Sequence, residues 1–189
     1  MTTGAHHIVR SETKGTSSHT TAENDPSSGV DIGILLLRIV LAGTMGAHGL
    51  QKLFGLFDGP GIDGFARALS GFGFTSQTTL LAWVTALSEV GGSVLILFGV
   101  LTPLGAAAVL GVALNMVYLL APTGFFMGPE TGFEFELLLG VVALALLFTG
   151  AGRYALDRNT PWGRSPLRYG LGGIGLAVIS SAAVILLFR

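Results

Sequence analysis

Long apolar stretches separated by short polar segments make up most of the chain from residue 32 onwards. Five such stretches lie near residues 32–54, 79–99, 104–121, 134–151 and 169–188. Each is close to the roughly 20 residues that a helix needs to cross the hydrocarbon core of a bilayer. They lack the alternation of apolar and polar positions that is typical of a membrane barrel strand. Because a helix satisfies its backbone hydrogen bonds internally, the pattern predicts an all-α integral membrane protein with five transmembrane helices.

Composition supports this class and excludes several others. The 189 residues are 50% hydrophobic and only 11% charged, whereas a soluble domain has about 25% charged residues. The net charge of -1 and the lack of a basic run argue against nucleic-acid binding, which requires many phosphates to be neutralised. The chain has no cysteine, which excludes disulfides, iron–sulfur clusters and thiol nucleophiles. Any redox chemistry must therefore belong to a bound small molecule or to a partner chain.

The polarity of the chain also suggests its division into parts. Residues 1–30 are rich in Ser, Thr, Gly and charge and contain no apolar run of a signal peptide, which predicts a disordered polar tail. Residues 31–158 contain four of the apolar stretches and are expected to form a four-helix membrane bundle. Residues 159–189 are expected to form a linker and an additional C-terminal transmembrane helix.

Arginines between the last two stretches predict the orientation in the cell inner (plasma) membrane. The loop before the last stretch has four arginines, Arg153, Arg158, Arg164 and Arg168. Residues 122–133, by contrast, contain no Lys or Arg. Because loops rich in Lys and Arg stay in the cytoplasm, this loop and the N-terminal tail are predicted to be cytoplasmic. The segments 55–78 and 122–133 and the C-terminus are then extracytoplasmic.

The last stretch contains "GLGGIG" at residues 170–175, which matches the glycine pattern of dinucleotide-binding loops. That pattern is meaningful only after a strand and before a helix, and no strand precedes it here. We therefore interpret these glycines as small residues that allow close packing between membrane helices.

Three polar residues within the apolar stretches predict a buried polar network. Arg38 lies in the first stretch, Glu89 halfway along the second and Asn115 at a similar depth in the third. A charge in the middle of a membrane helix costs at least about 2.5 kcal/mol, so it should find a partner inside the bundle. We expect Arg38 to pair with Glu89 and Asn115 to complete the network. The pair either fixes the register of the helices or takes part in moving a proton or substrate.

A second group of polar residues is predicted near the outer end of the bundle. His48 and Lys52 fall with Arg38 within an arc of roughly 80° on one helix, and Gln51 lies beside them. "GPETGFEFE" brings Glu130, Glu134 and Glu136 to the same level. Together these groups could hydrogen-bond a quinone carbonyl or hold a small anion. The alternative is that Lys52 reaches the lipid headgroups while the glutamates cap a helix.

The two outer segments are expected to fold over this cluster as a lid. Their glycines, in "DGPG" and "TGFFMGPETG", allow left-handed backbone and close approach. Phe54, Phe57, Phe125 and Phe126 would form the apolar lining, unless they lie at the membrane interface instead. The expected occupant is a quinone such as menaquinone, or a lipid. A haem is not expected, since His48 is the only histidine in the apolar stretches and haem b normally takes two axial ligands. No metal site is predicted.

Several stretches together resemble the DoxX family of small bacterial membrane proteins. They are "RIVLAGTMGAHGLQKLFG", "GPG", "SEVGGSVLILFGVLTPLGA" and "TGFEFELLLGVVALALLFTGAGRYALD", and the likeness covers about residues 32–158. The resemblance implies a four-helix membrane bundle, to which this chain adds a fifth apolar span. The family pattern marks Arg38, His48, Gly49, Lys52, Glu89, Gly92 and an acidic residue that is either Glu134 or Glu136.

The resemblance also implies a small membrane subunit that works beside redox proteins. Members are associated with thiosulfate:quinone oxidoreductase and, in actinobacteria, with a complex that contains superoxide dismutase and a sulfurtransferase-like protein, which connects the family with oxidative stress. We therefore expect an accessory subunit of a redox or respiratory membrane complex. Two alternatives stay open: an independent quinone-linked oxidoreductase, and a small-solute transporter motivated by the ionisable residues.

Overall fold

The computed structural model describes residues 1–2, 26–128 and 132–189, and this part of the chain is helical without strands. The predicted tail lies mostly outside the described residues. Helix α1 begins at Pro26, inside the segment expected to be tail. Seven α-helices follow one another along the chain: α1 Pro26–Phe54, α2 Gly61–Gly71, α3 Thr78–Phe98, α4 Thr102–Leu120, α5 Glu134–Thr149, α6 Pro161–Arg164 and α7 Pro166–Phe188.

Four of these helices form a closed ring. Helix α1 packs against α3, α3 against α4, α4 against α5, and α5 returns to α1. Their shared core contains Leu41, Met45, Ile96, Val109 and Leu146, all buried. Helix α7 lies outside the ring and packs against α4 and α5. The structure therefore has the expected architecture of a four-helix bundle with one additional C-terminal helix.

Within the described residues, four helices are long and apolar enough to cross a membrane: α1 over residues 28–54, α3, α4 extended to residue 123, and α7. The remaining predicted span, α5, has 16 residues, which corresponds to about 24 Å at 1.5 Å per residue. It is therefore shorter than the expected stretch at 134–151, although it takes a full place in the ring. The chain is a multi-pass membrane protein, and the orientation of its termini stays a prediction.

The glycines of α7 pack it closely against the ring. A Cβ at Gly170 would collide with the backbone carbonyl of Leu147, and one at Gly173 would lie 3.1 Å from the carbonyl oxygen of Pro103. On the same side, Ser181 Oγ donates a hydrogen bond of 2.7 Å to Asn115 Oδ1 in α4. The small residues of "GLGGIG" that touch the ring therefore serve close helix packing.

The segment 55–78 is more ordered than the loop expected from the sequence. It contains α2, whose buried face consists of Phe65, Ala66 and Leu69. This face covers one end of the ring and packs with Leu81 and Leu119 from α3 and α4. We refer to this end, where α1 and α4 finish and α3 begins, as the α2 end. The opposite end, which contains α6, is the α6 end.

Candidate functional site

Close packing of α1 against α3 creates the site. The two helices are antiparallel, and Gly49 touches α3 so closely that a Cβ there would lie 2.6 Å from Val90 Cγ2 and 2.9 Å from the Val90 backbone nitrogen. Three residues further along, Lys52 meets Glu89. The glycine therefore brings the backbones together and positions two charged side chains opposite each other.

Lys52 and Glu89 form a buried ion pair. Lys52 Nζ lies 2.7 Å from both Oε1 and Oε2 of Glu89. The Glu89 side chain is 3% exposed and that of Lys52 is 15% exposed. The ammonium group also lies 5.0 Å from the centre of the Phe65 ring in α2, within range of a cation–π interaction. Lys52 therefore points into the protein, and its expected alternative role of reaching the lipid headgroups is wrong.

The ion pair borders an open cavity of about 100 Å³ inside the ring. Every helix of the ring contributes to its wall, and α1 contributes three residues. The lining residues are Met45, His48 and Lys52 from α1, Glu89 from α3, Val112, Ala113 and Met116 from α4, and Phe135, Glu136 and Leu139 from α5. We call this space the ring cavity.

Two further polar side chains face the ring cavity. The His48 ring lies 5.9 Å from that of Phe135, centre to centre, in a tilted arrangement. Glu136 Oε2 is buried and has no hydrogen-bond partner within the described residues. An unpaired buried polar atom costs roughly 1–3 kcal/mol, so a hydrogen-bond donor in the cavity would be stabilised by this oxygen.

Two other residues of the expected pocket lie outside it. Gln51 Nε2 donates to the carbonyl oxygen of Phe57 at 3.4 Å, and Glu134 Oε1 accepts a hydrogen bond of 2.9 Å from the backbone N–H of Met127. Both side chains therefore bind loop backbone at the α2 end. Glu130 lies outside the described residues.

The expected pairing of Arg38 with Glu89 is wrong. Arg38 lies 14 residues before Lys52 in α1, about 21 Å along the helix axis. Its guanidinium donates to four backbone carbonyls: Ile96 at 2.8 Å, Leu97 at 2.6 Å, Ala151 at 3.0 Å and Tyr154 at 2.8 Å. Two of these belong to the last turn of α3, where carbonyls have no partner within the helix. Arg38 therefore joins α1 to the α6 end of the bundle.

Asn115 is separate from both charges. Its side chain accepts the hydrogen bond from Ser181 that connects α4 to α7. It also lines a small apolar cavity of about 20 Å³ next to Phe65 and Leu119. Arg38, Glu89 and Asn115 thus take part in three distinct arrangements instead of the single network expected from the sequence.

The four phenylalanines expected to line a lid are exposed. The exposed fraction is 70% for Phe54, 68% for Phe57, 44% for Phe125 and 76% for Phe126. The expectation that they line the pocket is therefore wrong. Phe135 lines the ring cavity instead, and Phe65 lies beside it over the Lys52 ammonium group. The helical spacing of apolar residues around Phe65 could have indicated its burial.

A polar cluster that the sequence analysis missed lies at the α6 end. Asp157 is 4% exposed, and its Oδ2 accepts hydrogen bonds from the backbone N–H and hydroxyl of Thr102, both at 3.1 Å. Trp162 Nε1 donates to the same oxygen at 2.8 Å. Asp157 thereby caps the start of α4 and connects it to the segment after α5. Among the described residues, no group of three or more His, Asp or Glu side chains could hold a metal ion.

Comparison with known proteins identifies the family. The sequence model of the DoxX family matches residues 33–122. A protein of Bacillus subtilis (strain 168) named "Putative oxidoreductase CatD" is 34% identical over 131 residues, which are 67% of this chain and 86% of the relative. No solved structure matches the chain. With Lys52 and Glu89 paired inside a four-helix ring and this similarity along most of the relative, the chain belongs to the DoxX family of membrane proteins.

Proposed function

We propose that the protein is an accessory subunit of a membrane-bound redox assembly and that its ring cavity holds the head group of a quinone. The observation that carries this proposal is the set of groups around the cavity: a lysine and a histidine as donors, beside a carboxylate oxygen that has no partner among the residues the structure describes. A quinone carbonyl requires donors, and the hydroxyl of the reduced form requires an acceptor.

The hydrogen-bonding capacity of the cavity matches both needs. Lys52 has three N–H groups, and two of them suffice for the carboxylate of Glu89, so one remains for a ligand. His48 supplies a second donor when the ring nitrogen facing the cavity is protonated. Glu136 Oε2 supplies the acceptor. Lys52 and His48 would orient an oxidised head group, while Glu136 would hold or receive a proton of the reduced one.

The size of the cavity limits what it can take. Its volume of about 100 Å³ compares with the roughly 150 Å³ of an engineered apolar cavity that binds benzene. Because the ring cavity is only about two thirds of that size, a single ring fits only when part of it extends through the open side. The two fused rings of menaquinone require the open side of the cavity or movement of Met45 and Met116, whose unbranched side chains adapt readily. A lipid headgroup is the competing occupant of the same space.

Absence of cysteine from the chain favours an accessory role. Thiol-based electron transfer by the chain itself is excluded, so a partner chain or a bound small molecule would have to carry electrons to or from the cavity. The partners that we propose are other redox or respiratory membrane subunits, superoxide dismutase among them. The name of the Bacillus relative favours a second candidate, an independent quinone-linked oxidoreductase.

Quinone binding is tested by thermal unfolding of the purified full chain in detergent under reducing conditions, with the quinol form of a short-chain ubiquinone or of menadione added, because Glu136 is proposed to accept a hydrogen bond from the reduced head group. A ligand at about one hundred times its Kd stabilises a protein by about 2.7 kcal/mol. We expect this stabilisation in the wild type and in Glu134→Leu, and its loss in Glu136→Leu. Equal responses of the two variants, or stabilisation by phospholipid and not by quinone, would contradict a quinone site.

The accessory role is tested separately by native mass spectrometry after extraction in a mild detergent. Oxidase, cytochrome or dismutase subunits that remain attached support the accessory role. A lone chain carrying a quinone would favour the independent oxidoreductase. A lone chain without ligand would favour the transporter and contradict both redox candidates.

A further inference from the structure

Two adjoining cavities at the α6 end differ in polarity. The first, of about 240 Å³, is polar, and its lining includes Arg153, Arg158 and Asp157. The second, of about 140 Å³, is an apolar groove lined by five residues, Leu101, Pro103, Leu104, Trp162 and Tyr169. Each is bordered by α6: Trp162 lines the groove, and the next residue, Gly163, lines the polar cavity.

The two carboxylates of the polar cavity, Asp31 and Asp157, accept hydrogen bonds from uncharged donors. Asp31 Oδ1 accepts a hydrogen bond of 2.9 Å from the backbone N–H of Arg153. Asp157 accepts from Thr102 and Trp162. The side chains of Arg153 and Arg158 are exposed and form no salt bridge within the described part of the chain. Two guanidinium groups are thus available to an anion.

The groove beside them faces outward from the bundle. Leu101, which precedes α4, is 40% exposed, and Leu104 in the first turn of α4 is 48% exposed. Trp162 and Tyr169 meet edge to face, with ring centres 6.4 Å apart. Tryptophan and tyrosine are enriched where a membrane protein crosses the boundary between hydrocarbon and headgroups. This composition fits a groove at the membrane interface, where the acyl chains of a lipid begin.

We infer that the two cavities together bind one anionic phospholipid, with its phosphate between Arg153 and Arg158 and one acyl chain in the groove. Guanidinium groups bind phosphate with two parallel hydrogen bonds, and basic pockets on membrane proteins hold anionic headgroups. Arg164 and Arg168 are also exposed on this segment but do not line the polar cavity. They add to the positive potential without forming the site. This inference is independent of the proposed function.

The test uses the full chain in lipid nanodiscs that contain equal amounts of phosphatidylglycerol and phosphatidylcholine, followed by native mass spectrometry of the released protein. We expect the wild type to retain one phosphatidylglycerol per chain. Each charged hydrogen bond to the phosphate contributes at least about tenfold in affinity, so Arg153→Ala with Arg158→Ala should reduce retention by about a hundredfold. The matched control, Arg164→Ala with Arg168→Ala, removes the same charge and should change retention less than fivefold. Replacing Arg153 and Arg158 with Lys should restore part of the binding.

Three results would overturn the inference. Equal loss in both double alanine variants would mean that lipid binding depends only on the overall charge of this end. Equal retention of the two lipids by the wild type would mean that the headgroup is not recognised. Unchanged retention in Arg153→Ala with Arg158→Ala, at an unchanged melting temperature, would place any bound lipid elsewhere.

Discussion

Lys52 Nζ lies 2.7 Å from both carboxylate oxygens of Glu89, deep enough that only 3% of the Glu89 side chain is exposed. The pair connects the last turn of α1 to the middle of α3 and forms part of the wall of the ring cavity. Each charge makes the other tolerable in the membrane, because an isolated charge at this depth would have to recruit water or neutralise. One contact thus serves both the packing of the bundle and the chemistry of the cavity.

The first prediction concerns this pair. Glu89→Gln should lower the free energy of unfolding in detergent by about 3–5 kcal/mol, because it leaves the Lys52 ammonium without its counter-charge. Lys52→Met should be similarly destabilising. The double variant Lys52→Met with Glu89→Leu should be more stable than either single variant, since no buried charge remains. Denaturation followed by tryptophan fluorescence measures all three, and additive effects in the double variant would contradict a direct pair.

The second prediction concerns Arg38. Arg38→Lys keeps the charge but cannot reproduce the fork of guanidinium hydrogen bonds to four carbonyls. Each charged hydrogen bond contributes about 1.5–3 kcal/mol, so the loss of two or more should destabilise the protein by over about 3 kcal/mol. Arg168→Lys, on an exposed arginine, is the control and should change stability by less than about 0.5 kcal/mol.

Combining Arg38→Lys with Glu89→Gln distinguishes the observed contacts from the pairing expected from the sequence. The two residues share no hydrogen-bond partner. Effects at such separate sites add to within about 0.5 kcal/mol. Strong coupling between the two substitutions would support a direct Arg38–Glu89 contact and contradict the arrangement described above.

The five longest helices and the membrane class follow from hydropathy, whereas the partners of the buried charges do not. The sequence favours a pair between Arg38 and Glu89, because each places a charge in the membrane that requires a partner. The register between two antiparallel helices decides which residues meet, and here Gly49 sets it by contacting Val90. Arg38 finds backbone carbonyls, which every residue has and which therefore leave no signal in the sequence.

Helix α2, which covers the α2 end, could have been predicted from the spacing of its apolar residues. Ile62, Phe65, Ala66 and Leu69 follow the spacing i, i+3, i+4, i+7 of an amphipathic helix, and α2 forms there. Glycines and a proline nearby favoured a loop in the sequence analysis instead. Phe65 on this helix lies over Lys52, whereas Phe54 and Phe57, which the glycine-rich pattern favours as lining, are exposed.

The third prediction concerns the close approach of α1 and α3. Gly49→Ala should destabilise the protein by about 1–3 kcal/mol, because the added methyl group meets Val90 and forces the helices apart. Gly43→Ala is the matched control on the same helix, since a Cβ there meets nothing within 4 Å. It should be neutral or stabilise by up to about 1 kcal/mol through helix propensity. Equal effects of the two substitutions would show that α1 does not depend on this contact.

The fourth prediction concerns the orientation of the bundle in the membrane. The packing of the helices is the same whichever end faces the cytoplasm. Gly128 at the α2 end is suitable for a cysteine, because it is exposed and a Cβ there has nothing within 4 Å. Gly59 at the same end is unsuitable, because a Cβ there would lie 2.6 Å from the backbone of Gln51. Arg164 is exposed at the α6 end. Because the chain contains no cysteine, Gly128→Cys and Arg164→Cys each provide a single thiol.

We expect an impermeant maleimide to label Gly128→Cys in intact cells and Arg164→Cys only after permeabilisation, because the arginine-rich segment should stay in the cytoplasm. The ring cavity, which lies near Lys52 in the last turns of α1, would then be closer to the extracytoplasmic side. The reverse labelling would invert the protein. It would bring the ring cavity to the cytoplasmic side and place Arg153 and Arg158 in the outer leaflet, away from the anionic lipids of the cytoplasmic leaflet that their charge fits.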